Sequence, residues 1–211
     1  YPNGIDIGFP FEFGGEIFTR LWVCVNGFVT FSPPPQTPAK DPTALFSDNS
    51  SYPRNVLAPF WGDHVYRLDV ERFNGYKPTK IFYKSDPDNG VFIVEWRYLN
   101  INDASIKSSI ATFQLRLYKS QDPYSAQGNI EFAYGQIGGN EYTNDTRVIT
   151  RNASVGIKGD FSPADFLNGL EYGKSPEVAR TSTRLTNEWT PSGATNYRIL
   201  FTALARYNVE E

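Results

Sequence analysis

Few residues in this 211-residue chain are of a type and spacing that could do chemistry. Glu95 and Glu131 are expected on the same face of neighbouring predicted strands. A glycosidase acid and its nucleophile or base need two carboxylates about 5 to 10 Å apart, so this pair is the one catalytic constellation on offer. Arg97 and Arg116 share that face, and ion pairs along a solvated sheet account for the same four residues without a pocket. Acid–base work also requires one carboxyl pKa raised beside one left low, which a row of neutralising arginines opposes. The expectation is therefore no enzymatic activity.

Asp63-His64, beside Trp61, is the most site-like dipeptide. Calcium is the one cofactor left open: Asp63 could join oxygens from Asp48 and Asn49, or from Asp86, Asp88 and Asn89. None of these follows a calcium loop's fixed spacing, so Asp63 capping a turn after Phe60-Trp61 is the favoured explanation. His64 is the only histidine and Cys24 the only cysteine, so zinc sites and disulfides have no second partner. The strand position of Cys24 marks it as a buried thiol. Exposed aromatic platforms are the remaining candidates. Tyr52, Tyr66, Tyr76, Tyr124, Tyr142 and Trp189 fall in predicted loops and could stack on a glycan, although a ring at the boundary of loop and core has the same sequence signature. Asn49, Asn144 and Asn152 head glycosylation acceptor triplets, which a chain rich in Asn, Ser and Thr produces by chance.

The elements that must position these residues are strands. Aromatics make up 16% of the chain, with 16 Phe and 13 Tyr. That composition favours sheets over helices. The formal net charge of −3 and the lack of like-charge runs argue against nucleic acid and against an anionic membrane surface. Phe9, Phe11 and Phe13 alternate along one extended segment, Gly14-Gly15 reverses it, and Leu21–Val25 is apolar on both faces. Asn26-Gly27 marks a hairpin into Phe28–Phe31. Tyr1–Ile7 reads as a polar lead-in or an edge strand, and the prolines of 32–54 mark a long surface loop. In 55–63, Pro59 is expected to end ladder pairing, leaving Phe60 and Trp61 to plug one end of the molecule.

A three-strand meander follows. Phe92, Val94, Trp96 and Tyr98 are expected inside, then Phe113, Leu115 and Leu117, then Ile130, Phe132 and Tyr134. Glu95, Arg97, Gln114, Arg116 and Glu131 are left in solvent. A short strand over 153–158, an irregular insertion near 160–190 with one helical turn at 162–168, and a strand within 196–205 complete the chain. The fold class is all-β: a single antiparallel two-sheet β-sandwich, jelly-roll-like, with long loops and at most short helices. The apolar run Tyr197–Leu204 could instead complete a neighbouring subunit's sheet, making the protein a fibre or surface-layer subunit.

In order, the blocks GFPFEFGGEIFTRLWVCVNGFVTF, VLAPFWGDH, VFIVEW, TFQLRLY, GNIEFAYG and ASVGIKG resemble extracellular modules of large bacterial surface proteins and the NIDO domain of nidogen-like proteins. The shared positions are Pro10, Phe11, Phe13, Gly15, Val23, Asn26, Gly27 and Phe31, then Ala58 to Trp61 with Asp63, then Phe113, Gln114 and Leu117. The resemblance spans roughly 8–159 and implies an extracellular or cell-surface sandwich serving adhesion or surface assembly, with no catalytic residues to transfer. Its partners would be an extracellular protein or glycan surface, or further copies of itself, with no membrane insertion. Tyr1 at the start and the absence of methionine fit a chain whose secretory signal has been removed.

Overall fold

The computed structural model describes residues 3–34, 53–66, 78–101, 110–137, 153–159, 184–185 and 197–202. Every regular element among them is a strand, and two antiparallel sheets pack into a β-sandwich. The first sheet contains β1 (Ile5–Phe13), β2 (Glu16–Cys24), β3 (Phe28–Thr30), β4 (Val56–Trp61), β10 (Ala153–Lys158) and β11 (Arg184–Leu185), hydrogen-bonded in that order. The second runs β12 (Tyr197–Phe201), β9 (Asn129–Ile137), β8 (Ile110–Tyr118) and β7 (Val91–Ile101). The far side of β7 pairs with β6 (Lys80–Asp86) along one half and with β5 (His64–Val65) at its end. The chain changes sheet after β4, β9 and β11.

Period-two alternation builds the core. Ile5, Ile7, Phe9 and Phe11 are buried while Asp6, Gly8 and Pro10 are exposed, so β1 takes in the end of Tyr1–Ile7, and it is an edge strand of its sheet. From the meander, Phe92, Val94, Trp96, Phe113, Leu115 and Phe132 close the other side, each essentially inaccessible. A fully buried side chain of this size contributes about 1.5–3 kcal/mol, so these side chains account for much of the fold's stability. Trp96 and Phe113 stack at 5.1 Å, and Phe60 meets Phe113 at 5.4 Å across the two sheets. The edge by β1 is drawn to the second sheet: Ser85 Oγ donates to Ile7 O at 2.8 Å, and Glu12 N to Ala126 O at 2.8 Å.

Four local expectations give way. Tyr98 does not point inward. The β7–β8 register shifts between Trp96 and Leu99, Tyr98 adopts φ 56°, and Leu99 takes the inward position. Such a slip of one strand past its partner is how a bulge re-aims side chains. The irregularity is held by Thr79 Oγ1, which donates to Tyr98 O at 3.0 Å, and by Tyr98 N, which donates to Thr112 Oγ1 at 3.2 Å. Pro59 does not end the ladder with β10: pairing resumes at Trp61, and Pro59 falls in a bulge of β4, where the three steps from Ala58 to Trp61 oppose the two from Gly156 to Ser154. Phe60 and Trp61 do not form one plug. Phe60 joins the main core, while Trp61 packs with Phe28, Val56 and Ala58 in a second cluster. The segment Leu21–Val25 is covered unevenly, with Leu21 buried, Trp22 to Cys24 half-buried and Val25 exposed. The stretches 35–52 and 160–183, which hold most of the proline loop and the expected helical turn, lie outside the described residues.

Candidate functional site

Two groups of polar residues stand out. The first is the joint between the β2–β3 turn and the end of β4. The Asn-Gly hairpin signal becomes a three-residue loop, Val25 to Gly27. Gly27 has φ 83°, and its N–H donates to Cys24 O at 3.2 Å. Its carbonyl accepts from Phe60 N at 3.2 Å, and Asn26 O accepts from Gly62 N at 3.1 Å. The turn is thus stitched to the Phe60-Trp61-Gly62 backbone. Tyr134 Oη donates to Pro59 O at 2.7 Å, and Trp96 Nε1 donates to Cys24 O at 2.9 Å, binding the same joint to the second sheet.

His64 completes this joint. Its ring stacks on Phe60 at 5.1 Å with an interplanar angle of 4°. Nε2 lies 2.9 Å from Phe60 O. Since a carbonyl only accepts, Nε2 carries the proton and Nδ1 presents a lone pair. Nδ1 is buried without a hydrogen-bond partner. Burial pushes the imidazole pKa down to about 4, against weaker opposing effects from the Phe60 carbonyl and the Asp63 carboxylate. At neutral pH His64 is an uncharged ring. Cys24 is quiescent by the same logic: burial raises its thiol to about 11, partly offset by a backbone hydrogen bond to Asn26, which leaves little thiolate at neutral pH.

The second group is a ladder on the outer face of β7, β8 and β9. Glu95 accepts from Arg97 Nε and, at 2.6 Å, from Gln114 Nε2. Gln114 Oε1 accepts from Arg116 Nε at 2.9 Å and from its second guanidinium nitrogen at 2.7 Å. Arg116 also donates to Glu131 Oε1 at 3.3 Å, and Tyr118 Oη donates to Glu131 Oε2 at 2.6 Å. Desolvation and the bond to Glu131 together hold the Tyr118 hydroxyl pKa above its usual value. The registers Glu95↔Gln114 and Arg116↔Glu131 produce this chain, since directly opposed residues on one face sit close enough to bond. Glu131 was expected in solvent and is buried, at 4% relative exposure. Glu95 and Glu131 are not on adjacent strands, because β8 lies between them. Two strand spacings and a two-residue offset along the strands separate their backbones by about 12 Å. Both carboxylates already accept hydrogen bonds from neighbouring side chains.

The proposed calcium ligands are not brought together. Asp63 adjoins His64, which pairs with Ile101 at one end of β7, whereas Asp86 pairs with Val91 at the other end. Ten residue steps of strand amount to about 30 Å, far beyond one ion's reach. Asp86 is engaged locally: Lys84 Nζ lies 2.9 Å from it, and Asn89 bonds it through both side chain and backbone, holding its carboxyl below the usual range. Asp88 lies in the same β6–β7 turn, and Asp48 falls outside the described residues. No group of three or more His, Cys, Asp or Glu side chains gathers among the described residues.

Of the six candidate rings, Tyr52, Tyr76, Tyr142 and Trp189 fall outside the described residues. Tyr66 is 39% exposed just beyond β5, and Tyr124 is 94% exposed in the β8–β9 loop. These positions sit at opposite ends of the second sheet, so the two rings form no shared platform. The loop under Tyr124 is ordered by its own hydrogen bonds, as Asx and serine turns are. Asp122 Oδ1 accepts from Tyr124 N at 2.9 Å, and Ser125 Oγ from Gln127 N at 3.1 Å. The reading from sequence missed Tyr118, the residue that closes the ladder over Glu131. Its signal was present in the two-residue spacing Gln114, Arg116, Tyr118, which places all three on one face.

The order of strands and the Asn-Gly to Phe-Trp joint invite comparison with known families. The profile described as NIDO related matches residues 1–203. The chain belongs to the NIDO-related family. Membership in the NIDO-related family points to an extracellular-type module, in keeping with the resemblance carried by its sequence blocks. Neither a curated protein nor a solved structure matches the chain. Among the described residues no helix is long and apolar enough to cross a membrane.

Proposed function

We propose that this NIDO-related domain is a non-enzymatic module of a secreted or cell-surface protein, serving adhesion or surface assembly. One observation carries the reading: among the described residues, the candidates for chemistry are bonded into the sandwich. Glu95 and Glu131 are held in the outer ladder, His64 is sealed against Phe60, and the Cys24 thiol is quenched by burial. An active site keeps at least one such group open to a substrate.

The test is to immobilise the purified chain and measure retention of extracellular-matrix and cell-wall fractions alongside a polysaccharide hydrolysis screen. Saturable retention with no hydrolysis is expected. Hydrolysis that Glu95→Gln or Glu131→Gln abolishes would overturn the proposal.

A second reading, carbohydrate binding through loop aromatics, is favoured at one position. Tyr124 presents nearly its whole ring on a loop whose backbone is ordered by Asp122 and Ser125, so little loop entropy is lost when a ligand stacks on it. Tyr124→Ala should leave stability within about 0.5 kcal/mol of wild type while removing glycan-array signal. An unchanged array signal would remove Tyr124 from the account. Strand donation by Tyr197–Leu204 has less support, because Tyr197 to Phe201 already pair with Tyr134 to Ile130 of the same chain.

A further inference from the structure

The outer face of the second sheet is built with its charges at two depths. From strand register, it carries Lys80, Lys84, Arg97, Arg116 and Arg198 against Asp86, Glu95 and Glu131. The five cations outnumber the three carboxylates, giving this face a surplus of two positive charges in a chain whose formal net charge is −3. Exposure sorts the two signs. The side chains of Lys84, Arg97 and Arg116 are 70%, 45% and 33% exposed, whereas those of Asp86, Glu95 and Glu131 are 19%, 15% and 6% exposed. The carboxylates therefore form the floor and the cations the surface. Lys80 and Arg198 extend the positive rim onto the two flanking strands, β6 and β12.

We infer that this face binds an acidic polysaccharide lying across the strands. The inference rests on the adhesion reading above and names the partner's chemistry. Lys80 on β6 and Arg198 on β12 are separated by β7, β8 and β9. Four strand spacings amount to about 19 Å, a span that a linear polyanion can follow from one rim to the other. The hydrogen bonds from Arg116 to Gln114 and Glu131 fix its guanidinium before any ligand arrives, which lowers the entropy lost on binding. A protein partner fits less well. The exposed apolar groups Phe82 and Leu200 stand on the two flanking strands with the polar ladder between them, whereas a protein interface wants a continuous apolar centre. Phe82 is in addition covered by Arg97, 5.0 Å from its centroid. A surplus of two charges is also small beside a nucleic-acid footprint.

Binding of the whole chain to polygalacturonate, dextran sulfate, neutral dextran and poly-glutamate at moderate salt tests this. Retention is expected on polygalacturonate or dextran sulfate, and the two together separate carboxylate from sulfate preference. Neutral dextran and poly-glutamate should bind at least tenfold more weakly. Lys80→Glu and Arg198→Glu should each weaken binding at least threefold, and Arg20→Glu, an equal charge change on the first sheet, should leave it unaltered. Failure to bind either polyanionic polysaccharide, equal binding to poly-glutamate, or an equal loss in Arg20→Glu overturns the inference. In the first of these cases the adhesion reading stands or falls separately, on retention of the matrix and wall fractions. Circular dichroism of each variant confirms that a loss of binding is not a loss of fold.

Discussion

The joint at Gly27 makes a prediction that two glycines can decide between them. Gly27 and Gly15 have nearly the same backbone, φ 83° and 84°. Alanine at either therefore meets the same left-handed penalty, about 1–2 kcal/mol. Their surroundings differ. A Cβ on Gly15 has nothing within 4 Å, while one on Gly27 would sit 2.1 Å from Phe60 O and 2.9 Å from Phe60 C. Ordinary contact begins near 3.4 Å, so the Phe60 carbonyl must retreat by over 1 Å, although its oxygen also holds His64 Nε2. That retreat strains or breaks the bond from Phe60 N to Gly27 O as well. Leaving buried polar groups unpaired costs about 1–3 kcal/mol. Gly27→Ala should thus lose about 2–5 kcal/mol and Gly15→Ala about 1–2 kcal/mol. With a urea m-value of roughly 2 kcal/mol/M, the midpoints fall by about 1–2.5 M for Gly27→Ala and by about 0.5–1 M for Gly15→Ala. Equal shifts for the two variants would refute the claim that the turn is clamped against β4.

Acid should weaken the same joint. His64 has a pKa of about 4 in the fold against 6.5 when unfolded, so the unfolded chain binds the proton more tightly. The stability associated with a neutral His64 is complete above its unfolded pKa and drains away as pH falls towards the folded one, by about 3 kcal/mol in all. Urea titrations across that window should show a smaller pH dependence for His64→Gln than for wild type; identical slopes would contradict the burial reading. Trp96→Phe keeps most of the ring but removes the donor to Cys24 O. It should lower stability by about 1–3 kcal/mol, and a change under about 0.5 kcal/mol would mean the Trp96 bond contributes nothing.

Much of this architecture was legible because alternation is a local signal. Phe92, Val94 and Trp96, or Phe113, Leu115 and Leu117, declare their inward face without knowledge of the partner strand. What escaped depends on partners. Tyr98 breaks its alternation because β7 and β8 slip register there, and nothing in Arg-Tyr-Leu encodes a left-handed tyrosine. Pro59 remains within a strand because it falls in a bulge of β4, and that bulge exists only against the pairing with β10, far along the chain. Glu131 looked solvated in isolation and is enclosed by Arg116 and Tyr118 from β8. Asp63 and Asp86 looked combinable until pairing placed them at opposite ends of β7. Charged and aromatic site candidates are legible as types; whether they converge depends on contacts between strands far apart in sequence.

The ladder carboxylates bear the central claim, that groups able to act as catalysts are instead structural. Glu131→Gln tests it most directly, by urea denaturation at neutral pH. A catalytic carboxylate is held under strain for function, so its amide often stabilises the protein. Glu131, by contrast, is bonded to Arg116 and Tyr118 and screened from water. Neutralising a structural carboxylate of that kind should cost about 1.5–3 kcal/mol. A lowered midpoint is predicted. A raised midpoint, together with the loss of a hydrolytic activity present in the wild type, would contradict the account.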